Sequence, residues 1–182
     1  MISDPFLQTL SELEDLPPSI RALHSTEGHY VGRCDIERGT GVLVALVTRL
    51  AGFPFGGTDV AVSVQIRAED QVWHWERDFA GHKTRSLLVY DEKRKCVRET
   101  FGAISIWLQP NWQNSALYIK ILRLTIFGIP VPFFARPRSK TIEWQDAQGR
   151  FRFDVSAEAP GLGLLIRYQG WLTPDHAMRG AG

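Results

Sequence analysis

The segment Val72–Gly81 combines large aromatic side chains with an arginine at alternating positions. If the segment is a strand, Trp73, Trp75, Arg77 and Phe79 share one face, because successive side chains point to opposite faces. An arginine among aromatic side chains on the inner face of a sheet must be ion-paired, stacked on a ring or hydrated, because burying an isolated charge costs too much free energy. The pattern indicates the wall of a polar-lined ligand pocket. The plainer alternative is a half-buried strand whose Arg77 head reaches solvent.

Among the residues that could act as an acid or base, Glu99 is the strongest candidate. Val97, Glu99 and Phe101 share a strand face, which puts a carboxylate between apolar neighbours. Burial would raise the pKa of such a carboxyl group and a nearby arginine would lower it. We therefore predict that Arg77 faces the interior and pairs with Glu99, with solvent exposure of Glu99 as the alternative.

His24 is the second acid–base candidate. It ends the segment Pro17–Leu23, just before the first predicted strand, where a helical turn could cap one mouth of a barrel. An ordinary half-exposed histidine is the alternative. Trp107 and Tyr168 complete the candidates, as aromatic residues on later strands that could line the same pocket.

Familiar catalytic and cofactor motifs are missing from the sequence. It contains no GxGxxG, P-loop, GxSxG or HExxH pattern, so dinucleotide binding, phosphoryl transfer, serine hydrolysis and zinc proteolysis lack their usual signatures. The five histidines show no ligand spacing of two or four, and Cys34 and Cys96 form no CxxC pair. We predict no metal and no cofactor.

Charge and hydropathy narrow the class of partner. The 21 basic and 20 acidic residues are spread along the chain, which gives no electrostatic footprint for nucleic acid or for an anionic membrane. We predict that the short basic runs Lys93–Lys95 and Arg136–Lys140 are solvated turns. No apolar run approaches the roughly 20 residues that span a bilayer, and Met1–Pro5 does not begin a signal peptide. We expect a cytoplasmic protein without a membrane span.

The elements that must position these residues begin with helices. Helical spacing predicts a helix over Asp4–Leu13 and a turn over Ser19–His24. The run Val42–Leu50 is apolar nearly all round, which predicts a buried helix or a buried strand, and the helix is favoured because Ala51–Pro54 resembles a helix stop. The stretch Phe127–Phe134 is interrupted by prolines and predicts a loop packed on the core or an apolar lip over a cavity.

Strands separated by turns fill the rest of the chain. Alternation predicts them over Val60–Arg67, around Trp73–Phe79, and over Arg85–Asp91, Cys96–Phe101, Ala103–Gln109, Ala116–Phe127, Thr141–Gln145, Phe151–Ala157 and Leu164–Leu172. Pro110–Asn111 is among the predicted turns. The fold class is mainly β, an antiparallel barrel or strongly curved sheet, lipocalin-like or helix-grip-like, with N-terminal helices. We predict one domain over 1–182, ordered from about residue 4 to 173 with a disordered tail.

Five short motifs, in order, resemble one bacterial family, the domain of unknown function 4166. They are Leu16–His24, Trp75–Phe79, Arg98–Gly102, Gly128–Pro132 and Tyr168–Gly170. The resemblance runs from about Phe6 to Leu172 and implies one intact domain. Members of the family occur alone or appended to a saccharopine-dehydrogenase-like domain, which implies an oxidoreductase as a possible partner. The resemblance transfers no activity.

The sequence supports one main functional hypothesis and two alternatives. The main hypothesis is that the barrel binds a small, largely apolar molecule through Trp73, Trp75, Phe79, Trp107 and Tyr168, while Arg77 and Glu99 fix its polar group. The first alternative is a cofactor-independent cyclase or isomerase in which His24 or Glu99 moves a proton. The second is a non-catalytic partner of an oxidoreductase.

Overall fold

Three short helices flank the first strand of the protein. The computed structural model describes residues 4–11, 13–25 and 27–175. Helix α1 spans Pro5–Thr9, α2 spans Pro18–Ser25 and α3 spans Val42–Leu50. The carboxylate of Asp4 caps α1 by accepting a hydrogen bond from the amide of Phe6 at 2.7 Å. The helix predicted for Val42–Leu50 is confirmed, but its predicted burial is wrong, because Val42 is 86% and Leu43 62% exposed. Helix α1 ends four residues before the predicted Leu13.

Twelve strands follow the alternation of the sequence. Their bounds are β1 Gly28–Arg38, β2 Gly57–Glu69, β3 Val72–Phe79, β4 His82–Asp91, β5 Cys96–Phe101, β6 Ile104–Gln113, β7 Ala116–Ile126, β8 Ile129–Pro130, β9 Arg138–Ser139, β10 Thr141–Gln145, β11 Phe151–Ala159 and β12 Gly163–Pro174. A single 3₁₀ turn, Phe133–Ala135, lies between β8 and β9. Strands β5 and β10 have the bounds that the sequence predicts.

The sheet closes on itself to form an antiparallel barrel. Ten strands, β1 to β7 and β10 to β12, pair in sequence order around the ring, and β12 pairs with β1. Strand β7 pairs with β10, which closes the ring, while β8 extends β7 and β9 pairs with β11. The predicted antiparallel barrel is confirmed, in its closed form. Closure leaves no free edge among these ten strands.

The two ends of the barrel differ. Because neighbouring strands are antiparallel, β1 begins at one end and β7 ends at the other. Helices α1 and α2 precede β1 and contact strands on both sides of the ring, α1 at β4 to β6 and α2 at β10 and β11. We call the end that they cover the capped end. The opposite end, where β1 gives way to α3 and β7 gives way to β8, is called the rim.

Two sequence-based predictions about connections are wrong. Strand β6 continues through Pro110, and the turn lies at Asn114–Ser115, where both residues have positive φ. Pro110 lies beyond Leu108, the last β6 residue paired with β5, so its missing N–H costs no bond to β5. For Phe127–Phe134 the loop packed on the core is wrong, because Phe127 is 83% and Phe133 82% exposed, while the apolar lip over a cavity stays a prediction.

The predicted disordered tail lies largely in residues 176–182, outside the described residues, while β12 extends to Pro174. No helix in the described part of the chain is long and apolar enough to cross a membrane.

Candidate functional site

Strand β3 presents its aromatic residues to the barrel interior, as its alternation predicts. Trp73, Trp75 and Phe79 are buried, and all three join the central hydrophobic cluster of the barrel. Tyr168 comes from β12 and packs edge-on against Phe79, with 5.8 Å between ring centroids. Phe153 of β11 packs on the other side of Tyr168 at 6.2 Å. Rings from three strands therefore surround the middle of the barrel.

Arg77 lies on the same face of β3 and pairs with Glu99, as the sequence predicts. Its Nη2 donates to Glu99 Oε1 at 3.1 Å, and its Nη1 donates to Ser86 Oγ at 2.9 Å. The guanidinium carbon lies 5.0 Å from the centre of the Trp75 ring, within the range of a cation–π contact. The Arg77 side chain is 22% accessible to solvent and the Glu99 side chain 13%. The ion pair is therefore stacked on Trp75 and remains partly accessible to solvent.

Several polar groups near this ion pair are available to a bound molecule. The indole N–H groups of Trp73 and Trp75 are buried, and neither finds a hydrogen-bond acceptor among the described residues. Burial raises the pKa of Tyr168 to about 12, although the charge of Arg77 opposes the shift. The Tyr168 hydroxyl therefore stays protonated at neutral pH and can donate a hydrogen bond.

A second buried cluster joins α1 and α2 to strand β10 at the capped end. His24 Nε2 lies 2.8 Å from Glu143 Oε2, and His24 Nδ1 lies 3.8 Å from Asp4 Oδ1, too far for a direct hydrogen bond. His24 is 1% exposed and Asp4 is fully buried. Phe6 packs on the imidazole at 4.7 Å and Trp75 at 5.8 Å between centroids. This cluster fixes both helices to the barrel.

The charge state of this cluster follows from its geometry. Burial alone would lower the pKa of His24, but the charges of Glu143 and Asp4 and the hydrogen bond to Glu143 outweigh it and raise the pKa to about 10. His24 is therefore charged at neutral pH. Burial raises the pKa of Asp4, with the contacts to His24 opposing the shift. A histidine held in its charged form between two carboxyl groups is poorly suited to accept a proton from a substrate.

The structure separates the predicted site residues into three places. Trp73, Trp75, Arg77, Phe79, Glu99 and Tyr168 come together in the interior. His24 lies in the second cluster, which the Trp75 ring joins to Arg77. Trp107 lies apart from both, since it pairs with the exposed Arg98, its Nε1 donates to Asp91 Oδ2 at 2.8 Å, and the guanidinium of Arg123 lies 5.2 Å from its ring.

The partners of these residues are not evident from sequence motifs. Asp4 is predicted only as a helix start, and Glu143 belongs to no motif. The predicted strand Thr141–Gln145 already placed Glu143 on one face with Thr141 and Gln145, so its inward position could have been found. Nothing in the sequence indicated that Ser86 would accept a hydrogen bond from Arg77.

Other possible sites are outside the interior. Among the described residues, one groove of about 550 Å³ is lined by α2 and the preceding loop, and another of about 300 Å³ is lined by residues of β1, β2 and β12. Neither groove is lined by a residue predicted to bind ligand. No group of three or more His, Cys, Asp or Glu side chains within residues 4–11, 13–25 and 27–175 could hold a metal ion.

Comparison with known proteins gives a family match and a number of similar solved structures. A family model described as Domain of unknown function (DUF4166) matches residues 16–172. The curated proteins contain no match to the chain. The chain is similar to apo Caenorhabditis elegans lipid binding protein 8, with TM-score 0.42, 9% identity, 82% of this chain covered and 94% of that chain. It is also similar to Rv2717c from M. tuberculosis, with TM-score 0.49, 11% identity, 88% of this chain covered and 99% of that chain.

Proposed function

The chain belongs to the family of the Domain of unknown function (DUF4166), and we propose that its barrel binds one small, largely apolar molecule with a single polar group. The observation that carries this proposal is the Arg77–Glu99 ion pair, which is partly accessible to water inside a ring of aromatic side chains. A solid core would exclude such a pair, because burying two charges costs more than packing apolar side chains in their place.

The inward-facing aromatic residues and Arg77 have different proposed roles in binding. Trp73, Trp75, Phe79 and Tyr168 provide apolar surface for the body of the ligand. Arg77 has N–H donors beyond the two that bond Ser86 and Glu99, so it can also donate to an oxygen atom of the ligand. Trp107 is not part of the proposed site, because it contacts Asp91 and Arg123 instead.

The polar group of the ligand is proposed to be uncharged. Glu99 already balances the charge of Arg77. A carboxylate ligand would add an uncompensated negative charge to the interior, and this costs more than burying a hydroxyl or carbonyl group that accepts a hydrogen bond. A long-chain alcohol or ketone therefore fits the site better than the corresponding acid.

A cofactor-independent cyclase or isomerase is the second candidate, and Glu99 is its acid–base residue. The observation that favours it is that Glu99 is a carboxylate accessible inside the barrel, while His24 is held charged in the second cluster. Partnership with an oxidoreductase stays a prediction. Two free, buried cysteines, Cys34 and Cys96, support the proposal of a reducing, cytoplasmic setting.

Binding is tested with oleyl alcohol and oleate as probes, read by tryptophan fluorescence and by the melting temperature. We expect oleyl alcohol to bind more tightly, and at about 100 times its dissociation constant to add about 2.7 kcal/mol of stability. Arg77→Met should weaken this binding at least about tenfold, since one hydrogen bond from a charged donor is lost.

The matched control is Arg98→Met on the same sheet, because Arg98 is exposed on the outer face of β5. It should bind oleyl alcohol as the parent protein does. Binding unchanged in Arg77→Met, or lost equally in both variants, would overturn the proposed site. Absence of any response to either probe and to a chemically diverse apolar library would overturn the proposed function.

A further inference from the structure

Two apolar segments are exposed at the rim of the barrel. The first is α3 with the loop that follows it, Val42–Phe55, and the second is the hairpin and 3₁₀ turn Ile126–Ala135. We call them the rim segments. Their most exposed large side chains are 62% to 86% accessible: Val42, Leu43, Phe55, Phe127, Ile129, Phe133 and Phe134. Large apolar side chains clustered on a surface mark an interaction site more often than single exposed ones do.

The second rim segment is a folded structure and not a loose loop. The amide of Phe127 donates to Ala103 O at 2.8 Å, and the amide of Val131 donates to Leu124 O at 2.9 Å. The guanidinium of Arg136 lies 5.1 Å from the ring of Phe133 and bonds to Leu122 O. The backbone therefore holds these phenylalanines outward in a fixed arrangement.

Charge is distributed unevenly around the rim segments, despite the net charge of +1 for the chain. Residues 100–142 contain no aspartate or glutamate, and their cations are Lys120, Arg123, Arg136, Arg138 and Lys140. Residues 38–58 also contain none, and their cations are Arg38 and Arg49, but Glu37 and Asp59 border this range at the rim ends of β1 and β2. The acidic neighbour of the second segment is Glu158, whose Oε1 lies 3.5 Å from the ammonium of Lys140. The even spread of charge expected from composition therefore does not hold around the second rim segment.

We propose that the rim segments dock on the surface of an anionic phospholipid bilayer. A bilayer surface has a layer of phosphate headgroups above the boundary with the acyl chains. The exposed phenylalanine rings would enter that boundary, while the neighbouring cations Arg138 and Lys140 would contact the phosphates. The match to negative charge favours this occupant over an apolar protein surface. This proposal goes beyond ligand binding in the barrel and does not depend on it.

Docking is tested by sedimentation of the full chain with vesicles. Vesicles of equal parts phosphatidylcholine and phosphatidylserine should bind the protein, and vesicles of phosphatidylcholine alone should bind it at least about tenfold more weakly. Arg138→Gln with Lys140→Gln should lower the affinity for the mixed vesicles about 30-fold, the equivalent of about 1 kcal/mol for each cation near the surface. Phe133→Ser with Phe134→Ser should lower it at least about tenfold.

Matched double variants elsewhere on the surface are the controls. Arg67→Gln with Lys93→Gln removes two exposed cations from strands and turns near the capped end, and Leu13→Ser with Leu87→Ser removes two exposed leucines. Both should bind vesicles as the parent protein does. Equal binding to the two kinds of vesicle, or no binding to either, would overturn the proposal. A concentration-dependent dimer that Phe133→Ser with Phe134→Ser abolishes, without vesicle binding, would assign the rim to a second copy of the chain instead.

Discussion

At the scale of single residues, the protein holds two different kinds of charged group inside one barrel. Arg77 and Glu99 remain partly accessible and keep hydrogen-bonding capacity, which suits the proposed contact with a ligand. His24 of α2 and Asp4, which caps α1, are buried at the capped end, where His24 faces Asp4 and Glu143. The difference in access separates a group that could bind a ligand from a group that stabilises the fold.

The buried His24 should make the stability of the protein depend on pH. Its pKa is about 10 in the folded protein and about 6.5 when unfolded, so the folded state retains a proton that the unfolded state releases as pH rises. The contribution is complete below about pH 6.5 and is lost as pH rises towards 10. We expect the free energy of unfolding to fall by about 2 kcal/mol between about pH 6.5 and 8.5, measured by denaturant titration.

Two variants isolate this effect. Glu143→Gln should reduce the slope, because the negative charge nearest to His24 is removed, and His24→Gln should abolish this part of it. His74→Gln, on the opposite face of β3 from Arg77, is the matched control and should keep the slope of the parent protein. Cys34 and Cys96 add to the loss of stability at the upper end of this window, because burial raises their pKa above the value of about 8.5 for an unfolded cysteine, but their contribution is the same in all of these variants. An unchanged slope in His24→Gln would contradict the assignment.

At the scale of elements, alternation in the sequence was sufficient for most strands and insufficient for their connections. The face shared by Trp73, Trp75, Arg77 and Phe79 was predictable, because side chains in a strand alternate whatever lies beside it. The continuation of β6 through Pro110 was not, because it depends on where the neighbouring strand β5 ends. The end of a neighbouring strand is determined by strand pairing, and no local pattern in the sequence of β6 indicates it.

The pair β1–β12 depends on glycine where the two strands approach closely. A Cβ atom at Gly170 would lie 2.2 Å from the carbonyl oxygen of Arg33, and the backbone would have to move. We expect Gly170→Ala to lower the free energy of unfolding by about 1–3 kcal/mol or more, measured by thermal and denaturant unfolding. Gly28→Ala is the control on β1, since its Cβ would meet only the Tyr30 ring at 3.5 Å and should change stability by less than about 0.5 kcal/mol. Equal stability of the two variants would show that β1 and β12 are not so closely paired.

At the scale of the whole molecule, the sequence predicted a barrel but not its two unlike ends. Regular strands with short turns indicated a sheet that closes, and closure follows from the pairing of β7 with β10. The capped end depends on Asp4, His24 and Glu143 meeting from three distant segments, a contact that periodicity cannot show. For the apolar stretch Phe127–Phe134 the sequence allows a loop on the core or a lip over a cavity, and its exposure excludes the first, although burial is the usual place for such residues.

The central claim is that a ligand enters the barrel interior, and the tryptophan indole N–H signals in a nitrogen–proton NMR spectrum test it most directly. Trp73 and Trp75 have indole N–H groups without acceptors in the described structure, whereas the indole of Trp107 already donates to Asp91. Addition of oleyl alcohol should shift the signals of Trp73 and Trp75 and leave that of Trp107 in place, so Trp107 is the internal control. Shifts confined to Trp107, or no shift at a concentration that saturates fluorescence, would contradict the account.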